Sequence, residues 1–142
     1  MKLVKVLSII ALSGILFSSC STSTQITNLN VKKTPFYTTK WNLVGDDNTL
    51  IKGFNGENVS INFDEQQHTA NGYAGCNHFS SSLIIDETVV NFGPIASTKM
   101  ACPSSKIEDS FLKLLKEANR FDIKGKELYL YKNNILLLKL ID

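Results

Sequence analysis

Gly72-Tyr73-Ala74-Gly75-Cys76-Asn77-His78-Phe79 is the stretch on which the fold turns, and Ala96-Ser97-Thr98-Lys99-Met100-Ala101-Cys102 answers it downstream. Small residues ahead of Cys76 imply a sharp turn, or a backbone passing close to another strand. The two segments hold the only cysteines beyond the first twenty residues, Cys76 and Cys102. Three roles are open to this pair: a disulfide, a metal site or a reactive thiol. Export of the chain, argued below, favours the disulfide. Loop closure by such a bridge contributes roughly 3 kcal/mol to a small domain. Zinc is the weaker reading, because Cys76-Asn77-His78 is not a usual structural-zinc spacing and the pattern offers no fourth ligand. A thiol nucleophile needs a free cysteine beside His68 or His78. Both histidines fall on polar strand or turn positions, where solvent exposure is the plainer account.

Outward from this stretch the pattern is one of short strands. Lys40 to Val44 comes first, and Gly45-Asp46-Asp47-Asn48 is a turn rather than a calcium loop, since it lacks spaced acidic partners. Asn58 to Asp64 alternates, with Val59, Ile61 and Phe63 on one face. Gln67 to Ala74 follows, then Phe79 to Asp86 and Thr88 to Phe92 as a hairpin around Asp86-Glu87. Pro94 limits pairing, so Ile95 to Ala101 reads as a separate extended segment. One helix is expected, Lys106 to about Asn119, with Ile107, Phe111, Leu114, Leu115 and Ala118 at helical intervals. Ser105 and Glu108 have capping-box spacing, so Glu108 reads as a cap rather than a general base. Phe121 to Lys124, Glu127 to Tyr131 and Ile135 to Ile141 complete the chain, with turns at Gly125 and Asn133-Asn134. The last strand is apolar on both faces apart from Lys139, which places it centrally, under the helix. Trp41 reads as a core anchor. The fold class is mainly β (α+β): a curled antiparallel sheet or small β-barrel with one amphipathic helix packed on it.

The chain divides into three parts. Residues 1–19 read as a lipoprotein signal peptide: Lys2 and Lys5, then the apolar run Val6 to Phe17, then Ser18-Ser19 before Cys20. The run is too short to span a bilayer comfortably. Cys20 is the expected site of lipidation, by diacylglycerol and palmitate, although Phe17 departs from the usual leucine-like residue. Residues 20–39, rich in Ser, Thr and Asn with one Pro, read as a tether, with Val31, Phe36 and Tyr37 able to lie against the domain. Residues 40–142 form the domain. Without Lys2 and Lys5, 13 basic residues face 13 acidic ones, so no nucleic-acid footprint is expected. The sequon Asn58-Val59-Ser60 is irrelevant behind a bacterial type of leader.

Gly75-Cys76-Asn77, Phe79, Thr98, Met100-Ala101-Cys102 and Glu108, with Trp41 and Leu43 opening the domain, resemble the pattern of the META domain, the HslJ-like family of bacterial envelope lipoproteins. The resemblance covers about Lys40 to Asp142. It implies a small, mainly β, barrel-like domain associated with envelope stress and tolerance of antibiotics, without established catalytic residues. No cofactor or metal is expected, and no enzyme: phosphate loops and zinc signatures are absent from the sequence. The expected role is a binding or structural module in the bacterial envelope, periplasmic or at the outer membrane. Its partners would be the membrane, through Cys20, and an envelope protein or cell-wall component. A lipoprotein inhibitor of an exported hydrolase is the alternative. A partner surface is expected at Asn77, His78 and Lys99, while Asn77 beside Cys76 also reads as a side chain that bonds backbone in the tight turn.

Metabolic labelling with a fatty acid tests the leader: the wild-type chain takes up label and Cys20→Ala does not. Label retained in Cys20→Ala removes this assignment.

Overall fold

The computed structural model describes residues 33–142, with side chains from Phe36 onward. The leader, Cys20 and residues 21–32 of the tether lie outside the described residues. Eight strands run antiparallel in chain order: β1 (Trp41–Val44), β2 (Ser60–Asp64), β3 (Thr69–Tyr73), β4 (His78–Asp86), β5 (Val89–Ser97), β6 (Arg120–Lys124), β7 (Glu127–Lys132) and β8 (Ile135–Ile141). The sheet curls until β1 pairs with both β2 and β8, which closes the hydrogen-bonded order. Helix α1 (Lys33–Thr38) precedes the first strand, and α2 (Lys106–Glu117) links β5 to β6.

Alternation produces the strands. Along β4, Phe79, Ser81 and Leu83 point inward while His78, Ser80 and Ser82 face out. The turns carry positive φ: Gly125 at 61° and Asn133 at 55°, residues that bear it readily, and Glu87 at 48°, which does so at a steric cost. The core is apolar and aromatic, with Trp41, Ile61, Leu115, Leu128, Leu130 and Leu140 fully buried. Helix α2 covers the Phe79 side of the core, where the Phe111 ring meets Phe79 edge-on at 5.7 Å.

Four expectations are corrected. The tether assigned to residues 20–39 ends in structure: α1 belongs to the domain. Phe36 stacks on Phe63 at 3.9 Å and lies 4.7 Å from Phe121, and its carbonyl accepts the Trp41 indole N–H at 3.1 Å. Pro35 sits in the first turn of this helix, where a missing N–H costs nothing. Second, Thr88–Phe92 and Ile95–Ala101 are not separate, because β5 runs through Gly93-Pro94 by a bulge. Ser81 pairs with Ile95 and Leu83 with Phe92, so Ser82 faces both Gly93 and Pro94. A Cβ at Gly93 would lie 2.1 Å from the Ser82 hydroxyl oxygen, a contact that rotation of the exposed serine relieves. Third, Ile107 lies outside the buried stripe of α2 at 41% exposed, whereas Phe111 and Leu115 are buried. Fourth, β8 has a neighbour on each side, as expected, yet its first residues Ile135 and Leu136 are exposed, because they stand at the open end of the ring.

Phe36→Ala measures how far α1 belongs to the core. Loss of this ring costs about 3–5 kcal/mol in denaturant unfolding; a cost below about 1 kcal/mol would return α1 to the tether.

Candidate functional site

The turn after β3 is built around Gly75, whose φ of 114° suits only glycine, and it delivers Cys76 and Asn77 to the interior. Cys76 and Cys102 stand at disulfide distance, with Cα atoms 6.2 Å apart. Asn77, expected on a partner surface, is only 6% exposed. It is a hub instead. Its backbone N–H donates to Glu108 Oε2 at 2.6 Å and its side-chain Nδ2 to Glu108 Oε1 at 3.2 Å. The same Nδ2 lies 3.2 Å from Cys76 Sγ. Its Oδ1 accepts from Thr98 Oγ1 at 2.8 Å and from the Met100 N–H at 2.7 Å. Its carbonyl accepts the Ala74 N–H at 2.9 Å. Every donor and acceptor of this residue is thereby used.

Glu108 is the counterpart. It lies 8% exposed in the first turn of α2 and turns inward to Asn77. The expected capping box therefore does not form. Ser105, at the N-cap, makes no side-chain cap bond, and its hydroxyl donates to Asp109 Oδ2 at 2.7 Å. The reason is competition: Asn77 offers Glu108 two donors in the interior, and the N-cap offers one at the surface.

Of the remaining sequence-derived residues, His78 and Lys99 are exposed beside this hub. The His78 N–H donates to Thr98 Oγ1 at 3.2 Å and its carbonyl accepts the Thr98 N–H at 3.0 Å, which fixes β4 to the end of β5. His68 is exposed at the turn between β2 and β3, with φ of 52°. Thus the structure joins Cys76, Cys102, Asn77 and Glu108 internally and leaves His78 and Lys99 outside.

Two concavities flank the hub. A polar depression of about 280 Å³ lies on the outer wall of β2 to β4, among Lys40, Asn62, Asn71, Tyr73 and His78. The His78 ring is 5.4 Å from Tyr73, whose hydroxyl donates to the Gly75 carbonyl at 2.7 Å. Lys40 pairs with Glu57 at 3.8 Å on its rim. An apolar groove of about 360 Å³ runs along α2, lined by Leu43, Ile51, Ile107, Phe111, Leu114 and Leu138, with Lys106 at its edge. Sequence reasoning did not find either one. Alternation marks Asn62 and Asn71 as outward, but concavity comes from the curl of the sheet.

Titration is perturbed elsewhere. On the outer face of β7 and β8, hydrogen bonds from Lys139, then Tyr129, hold the Glu127 carboxyl below its ordinary range. The same carboxylate raises Tyr129 and Lys139. Thr49 lowers Asp47 by capping it, and burial raises Tyr37. Among the described residues no group of three or more His, Cys, Asp or Glu side chains is placed to hold a metal.

The profile of the META domain matches residues 32–140. No curated protein matches the chain. An NMR structure of a protein from Burkholderia xenovorans has a similar fold, at TM-score 0.56 and 21% identity, covering 75% of this chain and 82% of that one. A crystal structure of a DUF4847 family protein from Bacteroides vulgatus is similar at TM-score 0.54 and 16% identity, over 75% of this chain and 93% of that one.

Asn77→Ala separates the hub from the surface. It removes the side-chain donor to Glu108 Oε1 while the backbone donor to Oε2 stays, and it orphans the Thr98 hydroxyl and the Met100 N–H, at a cost of about 3 kcal/mol in chemical unfolding. His78→Ala leaves the unfolding midpoint where it was. Equal effects of the two substitutions would refute the division.

Proposed function

The chain belongs to the META domain family, and from that premise we propose that it is a non-enzymatic, lipid-anchored binding module of the bacterial envelope, acting in stress or antibiotic tolerance. The partner is an envelope protein or a cell-wall component. One observation carries this reading: the polar groups around the Cys76–Cys102 clip are consumed by structural bonds. Asn77 and Glu108 satisfy each other and the two cysteines face each other. Chemistry on a substrate needs a nucleophile or base, an orienting partner and a stabiliser of charge, all free to act. A loop held this firmly instead presents His78 and Lys99 on a preformed surface, and a preformed surface binds with little ordering cost.

Affinity capture from the native envelope tests the proposal. The wild-type protein retains a specific partner, and His78→Ala with Lys99→Ala loses it at least about tenfold with an unchanged melting temperature. Asn77 is left intact, since its loss would unfold the clip. Turnover of an envelope substrate that disappears in His68→Ala or His78→Ala would overturn the non-enzymatic reading.

A further inference from the structure

Three large apolar side chains stand exposed around the clip: Phe54 at 61%, Met100 at 60% and Ile107 at 41%. They come from three separate segments fastened to the same turn. The Phe54 N–H donates to the Gly75 carbonyl at 2.7 Å. Ile107 lies over Gly75, its Cγ2 only 2.9 Å from where a Cβ would stand. Met100 is held by its N–H to Asn77 Oδ1 at 2.7 Å, with its carbonyl 3.7 Å from Cys76 Sγ. Ile107 also lines the apolar groove with Ile51 and Leu114, so the apolar surface continues along α2.

The same three segments carry Lys52, Lys99 and Lys106, all exposed. Among the described residues, none of these lysines has a carboxylate within ion-pair distance. The nearby acids are engaged elsewhere: Glu57 with Lys40, Asp109 with the Ser105 hydroxyl, and Glu108 with Asn77. Three unpaired cations therefore stand beside this exposed apolar patch.

We infer that this end of the barrel is a membrane-contact face that takes up anionic lipid. Exposed apolar groups enter the headgroup boundary while lysines beside them meet anionic headgroups. A protein partner would use the apolar area equally well, but lysine is depleted from protein interfaces, so the cationic fringe favours lipid. The face is separate from the proposed lipid at Cys20 and works without it.

That separation makes it testable on a chain beginning at Ser21, which keeps every described strand and the whole described core. Co-sedimentation with phosphatidylglycerol–phosphatidylethanolamine vesicles is expected, weakening as salt rises, with little on phosphatidylcholine. Phe54→Ser lowers the partition coefficient at least about tenfold. Lys52→Glu with Lys106→Glu abolishes the preference for anionic vesicles. Both leave the melting temperature unchanged, and His78→Ala partitions like the parent. Absence of sedimentation with anionic vesicles, or indifference to Phe54→Ser, overturns the inference. So does self-association without lipid that Phe54→Ser removes, which would assign the face to a second copy. Failure of fatty-acid labelling at Cys20 would remove the anchor and leave this result standing.

Discussion

The interior bond between Asn77 and Glu108 governs how the upper end of the barrel is assembled. Taking a carboxylate out of water is costly unless its oxygens are met by donors. Asn77 meets both oxygens, one from the backbone and one from the side chain. In return Glu108 fixes the amide so that Oδ1 faces Thr98 and Met100. One residue pair thereby holds the turn after β3, the end of β5 and the first turn of α2 in a single arrangement. The Cys76–Cys102 pair adds a covalent restraint across the same junction. Packing then follows, since α2 so placed lays Phe111 on Phe79 and Leu115 in the core.

Much of this was legible in the residues. The β class, seven of the eight strands and the position of α2 followed from alternation, turn residues and helical spacing. Trp41 as a core anchor follows from size alone, and the proximity of the two cysteines from their count and the export expected of the chain. What stayed hidden was hidden for physical reasons. A six-residue helix with a proline carries no periodicity, so the sequence shows residues 33–38 as tether with Phe36 able to lie against the domain, whereas the ring fills the core. In the sequence Pro94 divides β5, because a bulge that absorbs a proline is a property of two strands together.

The candidate site shows the same limit more sharply. Glu108 three residues after Ser105 fits a capping box, and the spacing is the same whether the carboxylate reaches back to the N-cap or inward to Asn77. Only the long-range fold supplies the donors that decide between them. Asn77 reads both as a backbone-bonding turn residue, which its bond from the Met100 N–H bears out, and as partner surface, which its burial does not; that burial depends on segments about twenty and thirty positions away, a separation no local pattern conveys. His78 and Lys99 remained outside, as surface residues flanking a motif that had turned inward.

The junction between β5 and β6 has a consequence for how such a ring is formed. Only Val89 and Arg120 pair across it, with backbone bonds from Val90 to Asn119 and from Phe121 to Thr88. β6 to β8 thus make a meander whose extensive sheet contact with the rest is through β8 and β1, where Leu43 faces Leu140. That contact joins opposite ends of the domain sequence, so its loop-closure entropy is large, and contacts of such high order are slow to form. The clip around Asn77 spans far shorter loops. Kinetically, the first five strands and α2 have a local route to assembly, and the ring closes as the late, slow event that brings the two ends of the domain together.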